Sequence, residues 1–145
     1  MWDSVLSGIN KDIEDIFYPY VKVRSDTGSE LERNVEPFLT DFFRGIEYFK
    51  KSPDKFGTYK IKEDALGRSV FWALVKGEGE DTVILMHHYD VVNIDDFKTL
   101  KPFAYSPKEL EAELLKIKDD LLPEVREDLE GGKYIFGRGT ADMKG

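Results

Sequence analysis

Two short stretches of this sequence carry side chains that could take part in hydrolysis. The first contains both histidines of the chain, His87 and His88, followed by Asp90, at the end of the apolar run Val83-Ile84-Leu85-Met86. Side chains alternate along a strand, so His88 and Asp90 point the same way and His87 points to the other face. A carboxylate beside a histidine fixes its tautomer and raises its basicity as a metal ligand. The spacing therefore suits His88 as a ligand with Asp90 as its catalytic partner, but it does not by itself decide for that role. The alternative is a packed histidine and an aspartate that caps a turn.

The second stretch is Gly137-Arg138-Gly139-Thr140-Ala141-Asp142-Met143-Lys144-Gly145. Its glycines allow a tight backbone path after a strand, which would present Asp142 at the same sheet edge as the first stretch. Two alternatives stay open, a purely structural glycine turn and an anion-binding loop. The phosphate-loop pattern G-x-x-x-x-G-K-[ST] is not matched, which argues against the anion-binding loop.

Composition narrows the classes of function. The 145 residues carry a formal net charge of −8, which argues against nucleic-acid binding because no counterion release would favour it. No apolar run approaches the roughly 18 residues that cross a bilayer, and the first residues lack the pattern of a signal peptide. The absence of cysteine excludes thiolate ligands and favours a cytoplasmic location. Any metal must be bound by histidine and carboxylate.

Hydrophobic periodicity predicts helices in three regions of the chain. The first helix ends at Tyr18-Pro19-Tyr20, and the second spans 31–49 after Ser29, with Pro37 expected to kink or split it. The third begins at Ser106-Pro107 and runs to Leu121. The apolar residues at helical spacing in the first helix are Val5, Ile9, Ile13, Ile16 and Phe17. The stripe expected to be buried in the third is Leu110, Leu114, Ile117 and Leu121.

Four stretches rich in β-branched and aromatic residues are predicted strands: 58–61, 69–76, 82–88 and 134–136. The continuous apolar run within 82–88 is typical of an interior strand covered on both faces. We therefore expect an α/β fold, with a central mixed sheet flanked by helices, in one domain over residues 1–145. Aromatic residues at helix or strand spacing are expected in the core, namely Phe38, Phe42, Phe49, Phe71 and Trp72.

Taken together, the two stretches resemble a known family. A strand ending in H-x-D-V-V, then Pro102-Phe103, then Y-x-F-G-R-G-x-x-D-M-K-G, is similar to the aminoacylase and carboxypeptidase family of co-catalytic zinc hydrolases. The stretch Ser25-Asp26-Thr27-Gly28-Ser29-Glu30 also resembles an N-terminal signature of that family. The resemblance covers nearly the whole chain in order. Within the family, the chain looks closest to bacterial arginine-utilisation proteins. The chain departs from the family at His87, where a small residue is usual.

The resemblance implies a role for each candidate residue. His88 would ligate one of two divalent metal ions, Asp142 would bridge both, and Asp90 would orient His88. The ions would be zinc, with cobalt or manganese as alternatives. The resemblance also implies a cis peptide bond after Asp142. The substrate would be an amide of a peptide or N-acyl amino acid.

Family members continue well beyond the bridging aspartate motif, where they supply a paired Glu-Glu, another acidic ligand and a late histidine. We therefore expect this chain to be the N-terminal part of a longer catalytic domain, inactive alone for want of a general base. The resemblance also implies that a homodimer is common, through a separate lid domain. Two other hypotheses stay open: a family member without catalysis that serves as a binding or assembly module, and an unrelated soluble α/β domain.

Overall fold

The structure, a computed structural model, describes residues 2–145, with side chains from residue 8 onward. The predicted apolar position Val5 thus lies outside the described side chains. The chain forms two compact units, one of Met1–Val23 with Val91–Gly145 and the other of Arg24–Asp90. The helices in chain order are α1 (Trp2–Lys22), α2 (Val35–Gly45), α3 (Glu47–Lys51), α4 (Pro107–Lys116) and α5 (Pro123–Gly131). The strands are β1 (Phe56–Lys60) and β2 (Ser69–Ala73). The predicted α/β class is confirmed.

In the unit of residues 24–90, β1 and β2 form an antiparallel hairpin in which Gly57 pairs with Trp72 and Thr58 with Phe71. Because side chains alternate along a strand, every second side chain of β1 and β2 points toward α2 and α3. There the rings of Phe43, Phe49, Phe56 and Phe71 form a cluster, with centroids 4.9 Å apart for Phe43 and Phe71. Phe49 is buried in this cluster, which is the apolar core of the unit.

The other predicted strands are wrong. Residues 82–88 and 134–136 have no regular secondary structure, and the described sheet is the hairpin alone. A strand needs a neighbour to accept and donate its backbone hydrogen bonds, and no described segment pairs with either stretch. The apolar run is correspondingly exposed, with 91% of Leu85 and 84% of Val83 accessible to solvent. The sheet is therefore smaller than the central mixed sheet that was predicted.

The first helix does not end where its proline was expected to stop it. Helix α1 continues through Pro19 to Lys22. Proline removes one backbone donor from a helix, which is a local cost. The last turn nevertheless contains Tyr20 and Val21, and both are buried. Burial of this turn offsets the lost hydrogen bond, so the helix extends two residues beyond Tyr20, to Lys22.

The second and third predicted helices are each divided. A 3₁₀ turn over Glu30–Asn34 precedes α2, so Pro37 falls in the first turn of α2, where its missing N–H is not needed. The third predicted helix, which ran to Leu121, forms α4 and a 3₁₀ turn over Lys118–Asp120. Helix α5, which begins at Pro123, lies beyond it and was not predicted. No helix in the described part of the chain has the length and apolar character needed to cross a membrane.

The unit that contains α1, α4 and α5 has a small core after the His-x-Asp stretch. Val91, Ala104 and Tyr105 are buried together, with Ile94 and Phe97 packed against them. In α4, Leu110 is buried as predicted, but Ile117 is exposed because the helix ends at Lys116.

Candidate metal site

His88 and Asp90 lie side by side in the unit of residues 24–90. His88 Nδ1 is 3.2 Å from Asp90 Oδ1 and 3.0 Å from the Asp90 backbone oxygen. The His88 side chain is 48% exposed and that of Asp90 31%. The predicted contact between an imidazole and an adjacent carboxylate is therefore present, although residues 82–88 do not form the strand from which it was predicted.

Both oxygens facing Nδ1 are hydrogen-bond acceptors, so the nitrogen must carry the proton to interact with either. The neutral imidazole then has its lone pair on Nε2, the nitrogen through which it could ligate a metal. A histidine ligand commonly donates its other ring N–H to a carboxylate or backbone oxygen in this way. The geometry at His88 therefore fits a divalent metal ligand.

The segment before α2 also contacts this pair. Thr27 Oγ1 donates a hydrogen bond of 2.8 Å to Asp90 Oδ2, the carboxylate oxygen that does not face His88. Ser25 is fully buried, and its hydroxyl donates to the backbone oxygen of Tyr89 at 2.6 Å. The Ser25-Asp26-Thr27 stretch thus holds the backbone at Tyr89 and the side chain at Asp90.

The hairpin holds Tyr89 from its other end. Its phenol donates to the backbone oxygen of Ser69 at 2.6 Å. Burial raises the pKa of Tyr89, followed by the negative charges of Glu32 and Glu36, so the phenol stays protonated and able to donate. Ser69 in turn donates its hydroxyl to Glu36 at 2.6 Å. The residue between His88 and Asp90 is therefore fixed at its backbone and at its ring.

His87 differs electrostatically from its neighbour. Desolvation of its ring lowers its pKa, and the charge of His88 lowers it further. Both effects disfavour a protonated His87 at neutral pH.

Asp142 belongs to the other unit of the chain. It lies in a turn within the glycine-rich stretch, it is exposed, and the peptide bond between Asp142 and Met143 is cis, as the resemblance implied. Gly139 has a φ of +81°, the left-handed conformation that glycine adopts without strain. Convergence of His88 and Asp142 on one metal pair stays a prediction.

Two basic residues of the glycine-rich stretch have structural partners. Arg138 Nη2 donates to both carboxylate oxygens of Asp96, at 2.5 and 2.6 Å, and the guanidinium lies over the Phe97 ring. Lys144 is buried, and its ammonium donates to the backbone oxygen of Val23. Both contacts agree with structural roles. The partner of Arg138 comes from the 3₁₀ segment Asp95–Phe103, outside the glycine-rich stretch.

Among the side chains that the structure describes, no group of three or more histidine, aspartate and glutamate residues is close enough to hold a metal ion. His88 and Asp90 form a pair in which one member would bind metal and the other would orient it. The contribution of Thr27 was missed from the sequence. The sequence did offer one indication of it. Thr27 lies two positions after Ser25, in the stretch that was noted only because it resembles a family signature.

Comparisons with known proteins identify two relatives in Bacillus subtilis (strain 168). The chain is 41% identical over 126 residues to "Uncharacterized protein YqjN", a match that covers 86% of this chain and 22% of that protein. It is 30% identical over 134 residues to "Protein RocB", covering 91% of this chain and 23% of that protein. The chain thus spans less than a quarter of the length of these curated relatives. No family model matches the chain, and no solved structure matches it. The match to Protein RocB supports a distant relationship with that protein.

Proposed function

We propose that this chain is part of a metal-dependent hydrolase that cleaves an amide bond of a peptide or N-acyl amino acid. His88 and Asp142 would hold the two divalent ions, with Asp142 as the ligand that they would share, and Asp90 would orient the His88 ring. The observation that carries the proposal is the placement of two acceptor oxygens of Asp90 within 3.2 Å of His88 Nδ1. That arrangement directs the proton to Nδ1 and the lone pair to Nε2.

When bound, divalent ions at this site would lower the pKa of a ligated water to about 7 and would so supply hydroxide at neutral pH. The residues of this chain then have two tasks. Asp90 holds the His88 ring in one tautomer and one orientation. The Asp142 carboxylate offers two oxygens, which lets it offset the repulsion between neighbouring cations. The proton acceptor for the water is assigned to the glutamate pair that the family resemblance places further along.

The match to Protein RocB supports the assignment to a group of longer bacterial proteins. A role in arginine or amino-acid catabolism follows from the resemblance of the His-x-Asp-Val-Val and Pro102-Phe103 regions to arginine-utilisation proteins. We propose zinc as the metal, with cobalt and manganese as alternatives, because the donors are nitrogen and oxygen. A cytoplasmic location and a homodimer are part of the same proposal.

Metal analysis of the purified full-length protein, of which this chain is proposed to be a part, tests the site. We expect two equivalents of zinc, cobalt or manganese per chain, and loss of metal in both His88→Ala and Asp142→Ala. His87→Ala is the matched control, because it removes an adjacent imidazole that the proposal does not use as a ligand. Hydrolysis of N-acyl amino acids and dipeptides, with and without a chelator, tests the reaction.

The outcomes separate the competing hypotheses. Metal that is lost in His88→Ala and kept in His87→Ala, together with hydrolysis that the chelator stops, supports the hydrolase. The same metal pattern without hydrolysis of any substrate supports a binding or assembly module. A protein that binds no metal, or that loses it equally in both histidine variants, would contradict the proposed site.

A further inference from the structure

Thr27 lies in a stretch that the proposed function leaves without a role. Its hydroxyl donates to Asp90 Oδ2 at 2.8 Å, while Asp90 Oδ1 lies 3.2 Å from His88 Nδ1. The two carboxylate oxygens therefore have different partners. A carboxylate bound through one oxygen can still turn about its terminal torsion, which is broad and roughly two-fold. A second partner on the other oxygen restricts that rotation.

We propose that Thr27 is a positioning residue for the His88–Asp90 pair, acting through the Asp90 carboxylate. The inference rests on the proposed function for the role of His88 as a ligand. By holding Oδ2, Thr27 keeps Oδ1 directed at the imidazole. The ring then keeps its proton on Nδ1 and its lone pair on Nε2.

The backbone around Thr27 is held in place by contacts on both sides. Ser25 is fully buried and bonded to the backbone of Tyr89. On the other side, Ser29 Oγ donates to the Asp26 backbone oxygen at 2.6 Å, and the Gly28 N–H donates to Glu32 Oε1 at 2.5 Å. The position of the hydroxyl is therefore set by its neighbours. Because Thr27 itself is exposed, a substitution there removes its hydrogen bond without opening the core.

The competing explanation is an ordinary surface hydrogen bond with no effect on the imidazole. Three variants separate the two. Thr27→Val keeps the shape of the side chain and removes the donor. Thr27→Ser keeps the donor and removes the methyl group. His88→Ala serves as the reference for loss of the ligand, and His87→Ala as its matched control.

Cobalt(II) binding to the purified full-length protein, followed by calorimetry and by the visible absorption of the bound ion, is the first measurement. We expect Thr27→Val to weaken cobalt binding about three- to tenfold, as for the loss of one hydrogen bond that supports a ligand. Thr27→Ser should stay within about twofold of the wild type, since its hydroxyl can make the same bond. The second measurement is the ¹⁵N shifts of the His88 ring in the metal-free protein at one fixed pH, where Thr27→Val should increase the tautomer protonated on Nε2.

Equal cobalt affinity and an unchanged tautomer in Thr27→Val would overturn the inference. So would a Thr27→Ser variant as impaired as Thr27→Val, because the effect would then not depend on the hydroxyl. The proposed function fails separately, if the wild type binds no cobalt or if His88→Ala binds it as tightly as the wild type. If metal binding fails in this way but Thr27→Val still shifts the His88 tautomer, Thr27 positions the imidazole and the imidazole does not bind metal.

Discussion

Substituting Gly139 by alanine tests how tightly the segment leading to Asp142 is packed. Gly139 has a φ of +81°, where an L-residue pays about 1–2 kcal/mol. An added Cβ would also lie 3.0 Å from Val91 Cγ1, which is closer than such atoms ordinarily approach. Val91 is only 2% exposed and packs with Ala104 and Tyr105, so it has little room to move. Overpacking of this kind costs about 1–3 kcal/mol. We therefore expect Gly139→Ala to lower the free energy of unfolding by about 2–5 kcal/mol, the sum of the two contributions.

Alanine substitutions at two other glycines serve as matched controls for this experiment. Gly28 also has a positive φ, of +74°, but an added Cβ there meets nothing within 4 Å. Gly28→Ala should therefore cost only the backbone contribution of about 1–2 kcal/mol. Gly45 is the last residue of α2, with open space around it and no positive φ. Gly45→Ala should stabilise the protein by about 0.4–1 kcal/mol through the unfolded chain.

Urea unfolding followed by circular dichroism measures all three variants. The expected order of stability is Gly45→Ala above the wild type, then Gly28→Ala, then Gly139→Ala. If Gly139→Ala is no less stable than Gly28→Ala, the contact with Val91 adds nothing. If Gly139→Ala is as stable as the wild type, the left-handed backbone conformation at Gly139 is contradicted as well.

Two further perturbations test separate parts of the chain. Side-chain hydrogen bonds from Arg68, followed by its backbone N–H, lower the pKa of Asp64 from 3.8 to about 2. A carboxyl whose folded-state pKa is lowered stabilises the fold above its unfolded value and loses that contribution as the pH falls to about 2. Unfolding measured at a series of pH values should therefore show a stability loss over that window, reduced in Asp64→Asn; equal pH profiles would contradict the ion pair. Leu110 is 2% exposed, so Leu110→Ala should destabilise by about 2–5 kcal/mol in thermal or urea unfolding. Leu115 on the same helix is 43% exposed, and an equal cost for Leu115→Ala would show that burial is not the cause.

Local signals in the sequence were sufficient for several elements. The hairpin strands were predicted because β-branched and aromatic residues flank a turn, and β1 and β2 follow those positions within a few residues. A division of the second helix was predicted from Pro37. The helix is divided, but at the two ends of α2, and Pro37 lies inside α2. The cis bond after Asp142 was predicted from the family resemblance alone.

Burial was harder to predict, because it depends on which face of an element meets the rest of the chain. Phe71 and Trp72 were both expected in the core. Adjacent residues of a strand point to opposite faces, so Phe71 joins the aromatic cluster and Trp72 is 43% exposed. The types of residue in this segment predict a strand, but they do not indicate whether one or both faces of that strand are buried.

The candidate site was predictable in its residue types and only partly in its geometry. His88 and Asp90 are in contact as predicted, yet the strand invoked to bring them together is absent from residues 82–88. The contact is instead supported by tertiary hydrogen bonds, from Ser25 to the Tyr89 backbone and from Tyr89 to Ser69. Long-range bonds of this kind leave no periodic signal in a sequence.

The contact between His88 and Asp90 was predicted correctly although the strand before it was not, and the surrounding contacts explain why. Val83-Ile84-Leu85-Met86 is apolar in sequence but exposed, so hydrophobic burial does not hold this run in position. The constraint begins at Tyr89, where the backbone oxygen and the phenol each have a partner. The orientation of the His88 ring is then set by Asp90, and the orientation of Asp90 by Thr27. Order at the candidate site is therefore carried by a short chain of polar contacts, which is why single hydroxyl substitutions are the sharpest tests of it.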